Sequence, residues 1–207
     1  MKYEWKKNDK AIYLPKKKPE EVNLGEMKYA IIDGKGSPDD PVFTEIVGAL
    51  YAFSFTLKIL PKKGITPEGY FEYTVFPLEG VWYSEEPGNL RQGLNKEKFV
   101  YRMMIRQPDF VTDELFQSIL ERITKKVGKE MVEGFKFETI REGHCVQMMH
   151  IGPYNKEFET FNVMDKYCDE HGLVRTNSVH REIYLSDPNR VAPEKMRTVL
   201  RYEVKGK

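Results

Sequence analysis

Apolar positions along this chain change their period several times, and each change marks an element. Lys28-Tyr-Ala-Ile-Ile-Asp33 is a short apolar run ending at Gly34-Lys-Gly36, the pattern of a buried strand entering a turn. Asp40-Pro41 then offers an N-cap with proline at the first helical position. Behind it Phe43, Ile46, Val47, Leu50 and Leu57 recur at helical spacing, which predicts a long helix to about Leu60, ended by Pro61 and Gly64. Strand patterns follow at Tyr70–Phe76, continuing through Pro77 into Gly80–Tyr83, and, after a Gly/Asn loop, at Phe99–Ile105.

Thr112-Asp-Glu opens a connecting helix whose cap and first-turn acids suit the helix macrodipole. Leu115, Ile119, Ile123 and Val127 form its apolar stripe. The second half then repeats the order of the first. Phe135–Ile151 is extended, Gly152-Pro-Tyr154 turns, and Asn155 is the expected N-cap. Phe158, Phe161, Met164 and Cys168 line one helix face until Gly172, and Ser178–Leu185 and Arg197–Val204 are the last strands. The polar, Pro/Lys-rich start reads as an extended arm over the core, anchored by Ile12-Tyr-Leu14.

The expected organisation is therefore one domain over 1–207: an arm (1–27), a first unit (28–107), a connecting helix (108–134) and a second unit (135–207). Letter-for-letter identity between the halves is slight, so the repeat is one of pattern. Strands and helices do not alternate strictly, which points to α+β, a largely antiparallel sheet with helices on one side.

Composition narrows the function classes. Lys+Arg 33 against Asp+Glu 32 leaves a net charge of +1, no field for steering nucleic acid or an anionic membrane. Lys16–Lys18 and Lys62-Lys63 read as solvated loops. The longest apolar run falls far short of the ~20 residues that cross a bilayer, and Met1–Lys7 lacks a signal-peptide apolar stretch. Cys145 and Cys168 make no disulfide framework and read as reduced core residues. A cytoplasmic protein with no nucleic-acid or membrane partner is expected.

Candidate chemistry gathers in the strand after Val179. Side chains alternate there, so Arg181, Ile183 and Leu185 share one face and His180, Glu182 and Tyr184 the other. Ile183 and Leu185 suit packing against the helices, leaving Glu182 and Tyr184 toward a cleft on the opposite face. A lone acid among aromatic and apolar residues is costly to bury without a partner or a task. Such a group serves as counter-ion for a cationic ligand or as general base for water, or simply pairs with a neighbouring Arg or Tyr on a solvated face. Trp82, Tyr83, Tyr101, Tyr73 and Tyr154 supply rings for flat or cationic ligands, though rings also build ordinary cores. The Met103-Met104 and Met148-Met149 pairs read as core filling before they read as an adaptable pocket.

Other chemistry fits poorly. His144, His150, His171 and His180 show no zinc spacing, and His144 and His150 lie about 20 Å apart along a strand. G-x-S-x-G, P-loop and G-x-G-x-x-G motifs are absent, and nothing marks Cys145 as a low-pKa thiol. Neither a metal nor a cofactor is expected.

In order along the chain, a set of short motifs resembles the stand-alone branch of the GyrI-like small-molecule-binding family. They include Tyr13-Leu-Pro-Lys-Lys-Lys-Pro-Glu20, Ile32-Asp-Gly-Lys-Gly36, Pro77-Leu-Glu-Gly-Val-Trp82, Ile105-Arg-Gln-Pro-Asp-Phe-Val111, His150-Ile-Gly-Pro-Tyr154 and His180-Arg-Glu-Ile-Tyr-Leu-Ser-Asp-Pro188. The resemblance implies two strand–helix–strand–strand units in pseudo-twofold arrangement with a ligand cleft between them, and broad binding of aromatic, often cationic compounds. Some stand-alone members are thought to hydrolyse cyclopropane-bearing DNA-alkylating natural products. Matched position by position, Glu182 is the pocket glutamate, and Trp82, Tyr154 and Tyr184 are aromatic positions in or near the cleft. Tyr83 and Tyr101 stand where the family pattern suggests Trp, which bears on substrate range. The resemblance allows three roles: a binding module, a hydrolase using Glu182 with Tyr184 or Tyr154, and a ligand sensor acting through a partner. Oligomeric state is open.

Overall fold

The computed structural model describes residues 2–84 and 98–207; the Gly/Asn loop expected ahead of Phe99 lies outside them. Two short helices come first, α1 (Trp5–Asn8) and α2 (Lys10–Tyr13), and both bury an aromatic, Trp5 and Tyr13. Strand β1 (Glu20–Lys35) begins ahead of the apolar run that marks it in sequence. Helix α3 (Pro41–Ile59) starts at proline behind an extended Asp40, as the Asp-Pro pair predicts, and Gly64 ends the 3-10 turn after it at φ 79°. Together Pro41–Lys63 is long and apolar enough to cross a membrane by length and composition. Here Ile46, Ala49, Leu50, Phe53 and Leu57 pack into the main core.

Strands β2 (Leu78–Ser84) and β3 (Phe99–Gln107) follow. Tyr70–Phe76 is not a strand: its one ladder contact is a bridge from Tyr73 to Tyr3. Proline at position 77 has no N–H to give, so regular pairing starts only at Leu78. In α4 (Asp113–Val127) the Thr112 hydroxyl accepts from the Leu115 amide at 3.2 Å, the predicted cap. After the short α5 (Lys129–Glu133) come β4 (Phe135–Ile151), α6 (Glu157–Glu170), β5 (Leu173–Arg175), β6 (His180–Tyr184) and β7 (Arg197–Gly206). Helix α6 is capped at Lys156, not Asn155, because Tyr154–Lys156 forms a 3-10 turn that delays it.

The class is α+β with an antiparallel sheet, as the pattern predicts, and the sheet closes. Its order β4-β1-β3-β2-β6-β7 returns to β4, with β5 added on β7. Closure depends on the length of β4, which pairs with β1 over Phe135–Gln147 and with β7 over Cys145–Ile151. The two halves, β1-α3-β2-β3 and β4-α6-β6-β7, meet twice, where β1 pairs with β4 and where β2 lies against β6.

Helices α3 and α6 cover the same face. Phe43 of α3 touches Trp82 and Tyr101, and Phe161 of α6 touches His180 and Tyr202. The opposite face carries a buried charged network. Arg181 donates to Glu79 at 2.6 Å and to the Tyr29 hydroxyl at 3.1 Å, and Arg201 pairs with Glu142 at 2.9 Å. The N-terminal arm closes over it: Arg201 donates to the Ile12 carbonyl at 2.7 Å, and Gln147 to that of Ala11 at 2.7 Å. So the helices stand over the Glu182 face, whereas the alternation of β6 suggested that they would cover Ile183. Strand periodicity separates two faces without saying which covering each receives.

Candidate functional site

Register places the candidate chemistry at the seam between the halves. Across β2 and β6, Leu78 faces Tyr184, Gly80 faces Glu182 and Trp82 faces His180. These residues share the helix-bearing face, so a bare glycine lies beside the carboxylate. That bareness is required. A Cβ on Gly80 would sit 2.5 Å from Trp82 Nε1, 3.0 Å from Met103 Sδ and 3.0 Å from the Tyr184 hydroxyl.

In the space above Gly80 a hydrogen-bond chain forms. Trp82 Nε1 donates to the Tyr184 hydroxyl at 2.8 Å, and that hydroxyl donates to Glu182 Oε2 at 2.8 Å. His180 Nε2 lies 3.0 Å from Glu182 Oε1 and must be the donor, since a carboxylate only accepts. The Glu182 side chain is 12% exposed. Burial and the nearby carboxyls push the Tyr184 hydroxyl well above its usual pKa, so it stays a donor.

A second acid completes the group. Glu157, the first residue of α6, is buried and lies close enough to Glu182 to feel its charge. Desolvation first, and then the Glu182 charge, push its pKa well above the carboxylate range, which favours its neutral form. Its Oε1 has no partner, and neither has His180 Nδ1. Buried polar atoms are rarely left so, and here two belong to the residues around one carboxylate.

Rings flank the group. Tyr154 meets Tyr184 edge-on at 5.9 Å, and Trp82 is surrounded by Phe43, Phe99 and Tyr101 at 5.1–5.9 Å. Burial first, then Glu157 and Glu182, raise the Tyr154 hydroxyl to about 12. Burial lowers the pKa of His150; its Nδ1 lies 2.8 Å from the Thr160 hydroxyl and its Nε2 3.2 Å from the Pro153 carbonyl.

Glu182, Tyr184, His180, Trp82 and Tyr154 therefore come together. Tyr83 does not join them: alternation along β2 turns it to the opposite face from Trp82, where it is 40% exposed. Tyr101 backs Trp82 from within the core, its ring lying across Gly34, where an added Cβ would come within 2.2 Å. Tyr73 belongs to the core as well, far along the chain's packing against the arm. Burial raises the Cys145 thiol to about 12, far from a nucleophile's range. Among the described residues no group of three His, Cys, Asp or Glu is placed to hold a metal ion. Two open surface grooves, of about 410 Å³ beside Lys28 and Thr139 and about 460 Å³ beside Glu21 and His144, contain none of these groups.

Glu157 escaped the sequence reading. An acid in the first turn of a helix is ordinarily a macrodipole partner in water. Its one signal was position, three residues after the Gly152-Pro-Tyr154 turn that carries Tyr154.

A profile of the GyrI-like small molecule binding domain matches residues 17–204. Three solved structures from Listeria innocua are similar over almost the whole chain. An uncharacterized conserved protein is 37% identical, with a TM-score of 0.90 over 98% of this chain and 100% of its own. A hydrolase is 35% identical, with a TM-score of 0.88 over 98% and 100%. Another hydrolase is 37% identical, with a TM-score of 0.90 over 99% and 100%. No curated protein sequence matches.

Proposed function

This chain belongs to the GyrI-like small-molecule-binding family, and from that premise we propose that it binds small aromatic molecules at the β2–β6 seam and hydrolyses electrophilic, cyclopropane-bearing ones there. One observation carries the reading: a single carboxylate, Glu182, fixed by Tyr184 and His180 beside a wall of rings. Two similar structures named as hydrolases support it.

An activated cyclopropane asks little of a protein. It needs a nucleophile at its methylene and a conjugated carbonyl to receive the electrons. Trp82 and Tyr154 stack on the flat ligand, and Glu182 takes a proton from a water beside the methylene. The new C–O bond forms as the ring C–C bond breaks, and the electron pair runs to the carbonyl oxygen. Glu182 is suited to this because its two hydrogen bonds hold it in one orientation and need no rearrangement as charge moves. In the cytoplasm such a reaction would remove a DNA-alkylating compound before it reached DNA.

Binding without turnover is the second reading. An anion set among rings also suits cationic aromatic ligands, which a sequestering or sensing protein would hold through the same residues. The two separate in one experiment. Purified protein is incubated with a spirocyclopropyl cyclohexadienone, ring-opened product is followed by mass spectrometry, and Kd comes from Trp82 fluorescence. Glu182→Gln is expected to keep Kd and lose roughly 10²–10⁴-fold in turnover, the usual cost of removing a general base. Unchanged turnover in that variant would sink the hydrolytic reading. Stoichiometric binding with no product from the unaltered protein would establish the second.

A further inference from the structure

We infer that Trp82 is a positioning residue of this reaction: its indole N–H fixes the Tyr184 hydroxyl, which in turn fixes the Glu182 carboxylate. The inference rests on the hydrolytic reading above. It gives the edge of Trp82 a task separate from the face offered to a ligand.

The direction of this hydrogen-bond chain is forced by its chemistry. An indole nitrogen only donates, a carboxylate only accepts, and a phenol has one proton to give. Trp82 Nε1 lies 2.8 Å from the Tyr184 oxygen, so that oxygen accepts. The single Tyr184 proton then points at Glu182 Oε2, also 2.8 Å away. With an N–H aimed at it from one side, the hydroxyl cannot turn its own proton that way. Tyr184 is therefore a link in the chain, and its proton is committed to Glu182 and not to a ligand. His180 Nε2 holds the other oxygen, Oε1, at 3.0 Å. Each carboxylate oxygen keeps a further lone pair for a water, while rotation of the carboxylate is resisted from both sides.

Such a chain is only as stiff as its anchor, and Trp82 is anchored in the first half of the molecule. Trp82 is 7% exposed and lies among Phe43 at 5.8 Å, Phe99 at 5.9 Å and Tyr101 at 5.1 Å. Tyr101 is itself seated across the bare backbone of Gly34, and Gly80 leaves the space in which Nε1 meets Tyr184. Trp82 stands on β2 and Glu182 on β6, so the first half of the chain orients the base carried by the second. A base held by packed, hydrogen-bonded neighbours meets its water in a productive geometry, and small displacements forfeit much of that advantage.

The test removes one N–H and keeps the ring. Benzothienylalanine, with sulfur in place of the indole N–H, is inserted at position 82 by codon suppression, both in the otherwise unaltered chain and in Tyr184→Phe. Turnover is measured on the spirocyclopropyl cyclohexadienone, with melting temperature as the check of fold. The insertion should cost about 10²-fold in kcat and leave KM unchanged. Tyr184→Phe should lose a similar factor, and in that background the insertion should cost nothing more, because the hydroxyl it acts through is gone. Equal losses in both backgrounds would show that Trp82 acts by packing alone and would overturn the inference. So would an undiminished kcat in either single variant.

A second readout does not need turnover. The chain has two tryptophans, and Trp5 donates to the Val75 carbonyl at 3.0 Å, away from the seam. In a proton–nitrogen correlation spectrum, Tyr184→Phe should move the Trp82 indole signal upfield and leave that of Trp5 in place. An unmoved Trp82 signal would overturn the chain itself. An active Glu182→Gln would instead remove the reading on which the inference stands.

Discussion

A carboxyl that holds its proton in the folded chain couples stability to pH. The folded pKa of Glu157 is raised above its ordinary value of 4.5. Below 4.5 both folded and unfolded chains hold the proton, and the contribution of Glu157 is complete. Above it the unfolded chain releases the proton while the folded chain keeps it, so stability falls as pH climbs toward the raised value. Glu157→Gln removes that loss. Its melting temperature should match the unaltered protein near pH 4 and exceed it increasingly from pH 5 upward. A constant difference across that window would show that Glu157 is not buried in its neutral form. The same residue shows why sequence undersold the site: one acid in a first helical turn looks solvated until its neighbour on a distant strand is known.

Elements bring the site together through register. The β2–β6 pairing sets Gly80 beside Glu182 and Trp82 beside His180, and a shift by one residue would send every one of these side chains to the arm-covered face. Gly80 matters for its missing side chain. Gly80→Ala should break the Trp82–Tyr184 hydrogen bond, cost about 1–3 kcal/mol as overpacking commonly does, and weaken ligand binding, read by calorimetry and Trp82 fluorescence. Binding and stability equal to the unaltered protein would mean that the space above Gly80 is free. Helices α3 and α6 contribute at the same scale. Phe43 and Phe161 press on the same end of the seam, at the paired Trp82 and His180, and the 3-10 turn before α6 sets Tyr154 against Tyr184 near the other end.

At the scale of the whole molecule, closure gives the sheet an inside, and the inside is charged. Arg181 lies between Glu79 at 2.6 Å and Glu142 at 3.2 Å, all three under the N-terminal arm. Removing one partner of a buried pair strands the others in a poor solvent. Arg181→Met should cost about 3–5 kcal/mol, measured by denaturant unfolding, though Arg181 sits next to Glu182 in sequence and never touches the ligand face. A loss below about 1 kcal/mol, the range of exposed pairs, would mean that water reaches this network. The arm is thus part of the fold: α2 supplies backbone acceptors to Arg201 and Gln147 that no distant solvent replaces.

Local pattern determined much of this protein. Helical spacing from Phe43, the Asp40-Pro41 start, the Thr112 cap and the alternation around Glu182 are near-neighbour properties, and they fixed the class and most elements. They also singled out Glu182 and Tyr184, because an acid in an apolar strand is unusual wherever the strand lies. Tertiary structure decided the rest. Alternation puts Tyr83 and Trp82 on opposite faces, but it could not say which face the helices cover or which of the two rings shares a face with Glu182. Closure through β4 joins residues far apart in sequence, a long-range pairing that no local period encodes. Above all, Glu157 comes under the charge of Glu182 only because α6 packs back onto the sheet, against β4, β5 and β7. A raised carboxyl pKa is a property of distance and desolvation, and both exist only once the chain has folded.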